Sequence, residues 1–130
     1  MIVVDASALV EWMTDAAGRS DDVAVLLARD AHWVATEHLL VEAMSAFRGL
    51  WLGGGLDDAQ FDELARRLAS YELDVWPTRP LLPRIRELAH NATTYDAAYI
   101  ALAEEVGAPL VTTDAKLAAV PGIRCTILGP

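Results

Sequence analysis

The chain has 130 residues, one domain's worth, and 54% of them are hydrophobic, enough for a substantial core. A formal net charge of −9 and a pI of about 4.6 exclude a broadly basic nucleic-acid binder, whose affinity comes mainly from neutralising phosphates. They do not exclude a nucleic-acid enzyme, because bound metal ions supply positive charge that the chain lacks. Cys125 is the only cysteine, so no internal disulfide is expected and the cytosol is the natural compartment. Asp5 interrupts the apolar start "MIVV" at once; neither a signal peptide nor a membrane span is expected.

In chain order, "IVV" (Ile2 to Val4) reads as a short buried strand. "SALVEWM" follows as a helix with Ser7 as its N-cap. "TDAAGRS" is a loop, and "DDVAVLLARD" a second helix ending near Asp30. "HWVAT" is a brief strand. Glu37 to Leu52 read as a long helix with an apolar set of Leu39, Leu40, Ala43, Met44, Phe47, Leu50 and Trp51, stopped by Gly53-Gly54-Gly55. Asp57 to Tyr71 form another amphipathic helix, striped by Phe61, Leu64, Ala65 and Leu68. "LDVW" is a strand closed by Pro77; Leu81 to Asn91 and Tyr95 to Val106 are helices. "PLVTT" is a strand, "AKLAAV" one or two helical turns, and "RCTIL" the last strand. No repeat or linker divides the chain, so residues 1–130 are expected to form a single domain.

Short strands that are apolar throughout and separated by helices predict an α/β fold: a parallel central sheet with helices on both faces, in three layers. Ligands of such sheets bind at the carboxyl ends of the strands. Asp5 and Asp114 both follow strands and so belong on that rim. Asp96 opens a helix whose N-terminus can face the same rim. Taken singly, each acid has an ordinary explanation, because an Asp near a helix start caps backbone N–H groups and favours the dipole. Taken together, the acids would repel one another unless something positive sat between them. Glu42 is harder to place. It lies off the centre of its apolar stripe, Glu37 and His38 are nearby alternatives, and periodicity alone reads it as solvated. His32, His38 and His90 have no metal-ligand spacing and read as surface or structural residues. Ser7 and Ser45 lack a nucleophile elbow, and "GGG" ends a helix without following a strand.

The stretches "VVDASALV" (Val3 to Val10), "YDAAYIALA" (Tyr95 to Ala103) and "LVTTDAKL" (Leu110 to Leu117), with an acid at Glu42, resemble the PIN-domain ribonucleases, and among them the small toxins of VapBC toxin–antitoxin modules. The resemblance runs from the first strand to the last. It implies a catalytic pocket of Asp5, Glu42, Asp96 and Asp114, with Asp5, Asp96 and Asp114 holding Mg²⁺ or Mn²⁺ and Ser7 and Thr112 supporting it by hydrogen bonding. Some relatives carry a further acid just after the fourth. Here Ala115 and Lys116 follow Asp114, so one firmly held ion is expected. Hard oxygen ligands suit such an ion, which activates water and leaves no need for a side-chain nucleophile. The implied activity is metal-dependent endoribonuclease hydrolysis of structured RNA such as tRNA or rRNA, by a toxin neutralised by a cognate antitoxin. A homodimer is also implied. The apolar residues Trp12, Trp51, Phe61, Leu64 and Leu68 are expected to exceed what one small domain buries.

Rival readings make different demands. A housekeeping PIN-domain nuclease would share these motifs. A phosphoacceptor receiver domain would want paired acids after the first strand, where Ala6 follows Asp5. A dehalogenase-like phosphatase would want a second acid at position 7, where Ser7 stands. A non-catalytic interaction module would have no use for the four acids.

Overall fold

The computed structural model describes residues 1–130. Its strands are β1 (Ile2–Val4), β2 (Trp33–Thr36), β3 (Asp74–Trp76), β4 (Leu110–Val111) and β5 (Ile127–Leu128). They form one parallel sheet in the order β3-β2-β1-β4-β5. Val3 is opposite Val34 on one side and Leu110 on the other, which makes β1 the centre of the sheet. The chain steps outward from β1 to β2 to β3, then returns to lay β4 on the other side of β1. Strand order therefore reverses between β1 and β4, and the crevice of such a sheet opens at the carboxyl ends of those two strands.

The helices are α1 (Ala6–Thr14), α2 (Ser20–Leu27), α3 (Leu39–Leu52), α4 (Asp58–Ser70), α5 (Leu82–Glu87) and α6 (Thr94–Val106), with 3₁₀ turns at Arg79–Leu81 and Ala115–Ala119. α1 packs on α2 and α3, and α3 on α4, while α5 packs on α6. α6 lies on β1, β2 and β4. Right-handed crossovers put the first group on one face of the sheet and the second on the other, the three layers expected. The buried hydrophobic side chains form one cluster, with Val3, Val4, Val34, Leu110 and Val111 at its centre. α6 is buried from Ala97 through Ala103, and alanines at four of those seven positions let its backbone approach the sheet closely. Gly107 ends it in the left-handed region (φ 66°), which a side chain would disfavour. No helix is long and apolar enough to cross a membrane.

Several boundaries differ from the sequence reading. α2 stops at Leu27, well short of Asp30, whose carboxylate instead accepts the His32 amide and meets the N-terminal amine. α3 starts at Leu39, and Glu37 turns away to accept the Thr78 amide at 2.8 Å. The helix expected over Leu81 to Asn91 splits into a 3₁₀ turn and the short α5, with prolines in both first turns. The last strand is Ile127–Leu128 only.

The apolar surplus inferred from Trp12, Phe61, Leu64 and Leu68 is a correction. Leu64 and Leu68 are buried, and Phe61 is half-buried against Trp51. Trp12 packs on Trp33 and Tyr71, with ring centroids 5.5 and 5.3 Å away. Trp51 alone of the set stays exposed, and its indole N–H donates to Asp58.

Candidate active site

Asp5 ends β1 with an extended backbone (φ −80°, ψ 148°) and accepts the Ser7 amide on Oδ1 at 2.9 Å. Asp5, not Ser7, is therefore the N-cap of α1. The Ser7 hydroxyl turns across the crevice instead, 3.2 Å from Thr112 Oγ1, and accepts the Thr113 amide at 3.1 Å. Thr112 donates its hydroxyl to Asp5 Oδ2 at 2.6 Å and accepts the Asp114 amide at 3.0 Å. These bonds tie the end of β1 to the end of β4 across more than a hundred residues of sequence.

Capping accounts for one Asp5 oxygen but not for its burial. Asp5 is 3% exposed, and this desolvation raises its pKa to about 6. The hydrogen bonds from Thr112 and the Ser7 amide oppose the rise, and the charge of Glu42 adds to it. A stabilising surface cap would show the reverse.

Asp96 lies in the first turn of α6, but Thr93 caps that helix by accepting the Asp96 amide at 3.2 Å. Asp96 is thus not needed as a cap. Burial raises its pKa, Asp114 and Glu42 raise it further, and His38 lowers it. Asp114 is a cap in part: its Oδ1 accepts the Lys116 amide at 2.9 Å. Glu42 is not simply solvated. Its Oε2 accepts the Tyr99 hydroxyl at 3.1 Å and lies 3.3 Å from His38 Nε2. The His38 approach is within ion-pair range but is not aligned as a hydrogen bond, so the buried Nε2 has no hydrogen-bond partner. The Tyr99 hydroxyl resists ionisation because it is buried beside Glu42 and Asp5. The fold therefore brings Asp5, Glu42, Asp96 and Asp114 into one electrostatic neighbourhood, with Ser7 and Thr112 beneath them.

Sequence reasoning missed three participants. Tyr99 is three residues after Asp96, and His38 is four before Glu42, so helical spacing was the available signal for both. The third is Glu11, 6% exposed inside α1. Its carboxylate accepts the amides of Ala17 at 2.9 Å and Arg19 at 3.0 Å, fixing the loop after α1. The Arg19 guanidinium then reaches the Thr113 carbonyl at 3.4 Å, beside the crevice.

The chemistry of these donors suits a hard divalent cation: carboxylate oxygens, two of them with raised pKa values and no lysine or arginine among the charges acting on them. The buried Thr36 hydroxyl, at the end of β2, also lacks a protein partner. No three Asp, Glu, His or Cys side chains stand close enough together to hold an ion as placed. The donors fit such an ion in kind. A larger hollow of about 650 Å³ lies at the opposite ends of β2 and β3, lined by Ala31–Trp33 and Tyr71–Asp74, without such a group of acids.

Comparison with known proteins gives the family. The model of the PIN domain matches residues 2–123. Ribonuclease VapC1 of Mycobacterium tuberculosis is 36% identical over 136 aligned positions, covering 96% of this chain and 94% of the relative. Ribonuclease VapC12 of the same species is 34% identical over 118, covering 91% and 90%. Among solved structures, M. tuberculosis VapC20, described as a sarcin–ricin loop cleaving toxin, superposes with a TM-score of 0.71 over the whole of both chains at 20% identity, a likeness of fold. The chain belongs to the PIN-domain family, in the VapC ribonuclease group. The receiver and dehalogenase readings fall with that membership.

Proposed function

We propose that this chain is a metal-dependent endoribonuclease acting as the toxin of a type II toxin–antitoxin pair. One observation supports it above the others. Asp5 is buried at the sheet's switch point, bonded by Ser7 and Thr112, with a pKa raised to about 6 beside Glu42. A carboxylate kept there at such a cost to the metal-free fold is accounted for by a cation during function. Asp5, Asp96 and Asp114 would hold Mg²⁺ or Mn²⁺. When bound, the ion supplies positive charge that lowers the pKa of water and offsets charge on the scissile phosphate.

The protein groups have separate tasks. Thr112 and the Ser7 amide fix both Asp5 oxygens. Tyr99 holds Glu42 in place by donating to it. The Thr93 cap leaves the Asp96 carboxylate free for the crevice. Residues 1–130 form one catalytic unit in this reading, and it works in the cytoplasm. Family membership supports tRNA or rRNA as the substrate class, a homodimer, and a cognate VapB-like antitoxin, whose basic side chain would enter the acidic crevice. The same site would serve a housekeeping PIN nuclease; the antitoxin separates the two.

The test is cleavage of total tRNA and rRNA by the purified chain with Mg²⁺ or Mn²⁺, against EDTA and against Asp5→Asn. Cleavage that needs metal and Asp5 is expected. Full cleavage by a folded Asp5→Asn protein would sink the proposal. Co-expression with a cognate VapB-like antitoxin is expected to relieve growth arrest and to yield a co-purifying pair.

A further inference from the structure

A groove of about 440 Å³ adjoins the acidic crevice, lined by His38, Val41, Glu42, Ser45 and Tyr95. Glu42 belongs to both, and Tyr95 immediately precedes Asp96. Tyr95 is 64% exposed and Val41 73%, so an aromatic ring and an aliphatic side chain stand open beside a cluster of acids. The Tyr95 ring lies 5.6 Å from His38, which packs at 4.8 Å on the buried ring of Tyr99. Tyr95 is thus the outermost of three tilted rings in contact, the innermost being buried Tyr99. No lysine or arginine lines the groove, so it does not recognise phosphate by charge. Its volume suits a group the size of a small molecule, not a duplex.

We propose that this groove holds one unpaired nucleobase of the RNA, next to the phosphate presented to Asp5 and Asp96, stacked on Tyr95 with Val41 beside it. The inference rests on the ribonuclease reading above. Charge selects this occupant. A chain of net charge −9 repels the RNA backbone everywhere except at a bound ion, so the rest of the affinity comes from uncharged contacts. Stacking of bases on aromatic rings is the source that needs no positive charge. Glu42 and Ser45 at the edge of the groove are acceptors that suit an exocyclic amino group. A base reaches such a wall only when it is unpaired.

The probe is a short single-stranded RNA carrying 2-aminopurine, whose fluorescence falls on stacking. Protein variants are built on an Asp5→Asn background, which holds the RNA uncut and removes one repelling charge. The Asp5→Asn protein is expected to quench the probe, and adding Tyr95→Phe to preserve the quenching. Adding Tyr95→Ala is expected to abolish it and weaken binding by roughly 5- to 150-fold, the range for one base on one ring. Tyr95 is exposed, so its truncation removes no core packing. Equal quenching with and without Tyr95→Ala overturns the inference. So does equal loss in Tyr95→Phe, which would assign the effect to the hydroxyl. Unchanged RNA binding by the Tyr95→Ala protein, with loss of antitoxin binding, gives the groove to a protein partner and also overturns it. Cleavage of the same RNA by the otherwise native chain with Mg²⁺ is read in parallel. Quenching that depends on Tyr95 without any cleavage supports the groove and rejects the ribonuclease reading. Cleavage without Tyr95 dependence does the reverse.

Discussion

Replacing Asp5 with Asn should make the metal-free protein more stable at neutral pH while removing its activity. Asn keeps the shape and remains an N-cap: its oxygen still accepts the Ser7 amide, and its amide faces the Thr112 hydroxyl oxygen. What disappears is the buried charge. The Asp5 pKa rises from 3.8 to about 6 on folding. A shift of about 2 units corresponds to about 3 kcal/mol. The folded chain holds this proton more tightly than the unfolded chain, so the unfolded state loses it first as pH rises. Asp5 therefore does not weaken the fold below about pH 4, weakens it progressively up to about pH 6, and reaches its full cost above that. Other groups titrate in both proteins and cancel in the difference. The assay is a set of melting curves from pH 4 to pH 8 in EDTA. The two proteins should converge at the acid end, and the variant should melt higher by on the order of 10 °C at the alkaline end. Parallel pH profiles, or a variant less stable at every pH, would refute the account of Asp5 as a buried, uncompensated carboxylate.

The Asp96→Asn variant should gain far less from Mg²⁺ than the wild type, which gains ~2.7 kcal/mol when the ion is at a hundred times its dissociation constant; an undiminished gain in thermal shift would remove Asp96 from the ion site. Glu11→Ala strands the amides of Ala17 and Arg19 and should cost about 1–3 kcal/mol, with faster proteolysis after Arg19 and a smaller loss in Glu11→Gln. Arg84→Ala breaks a pair in which Arg84 donates to Glu104 at 2.8 Å and to the Gly122 carbonyl at 2.7 Å, both side chains being largely buried. It should cost about 3 kcal/mol in urea unfolding and loosen residues 120–126, whereas Arg66→Ala, on an exposed pair with Glu63, should leave the urea midpoint essentially unchanged.

The sequence by itself determined the layered parallel fold and two of the acids. Runs such as "IVV" and "PLV" are too short and too uniformly apolar for anything but buried parallel strands, and a polar residue at such a strand's end must emerge on the rim. Asp5 and Asp114 followed directly. The other assignments depended on contacts far apart in the chain. Periodicity shows which face of a helix is apolar but not what covers it. Trp12 and Leu68 thus looked surplus until Trp33, Tyr71 and the packing of α3 on α4 accounted for them. Nor does local pattern show whether a polar side chain on a half-apolar helix meets water or another side chain. Glu42 looked solvated because its partner Tyr99 lies 57 residues away, and His38 looked structural because, beyond Glu42 one turn on, the acid it acts on is Asp96 from another helix. Taken singly, Asp96 could be a cap, a role that Thr93 fills. Only the reversal of strand order between β1 and β4 brings these groups together. It places the ends of two strands more than a hundred residues apart in direct hydrogen-bonding contact, and burial there, not residue type, sets the charge behaviour of Asp5.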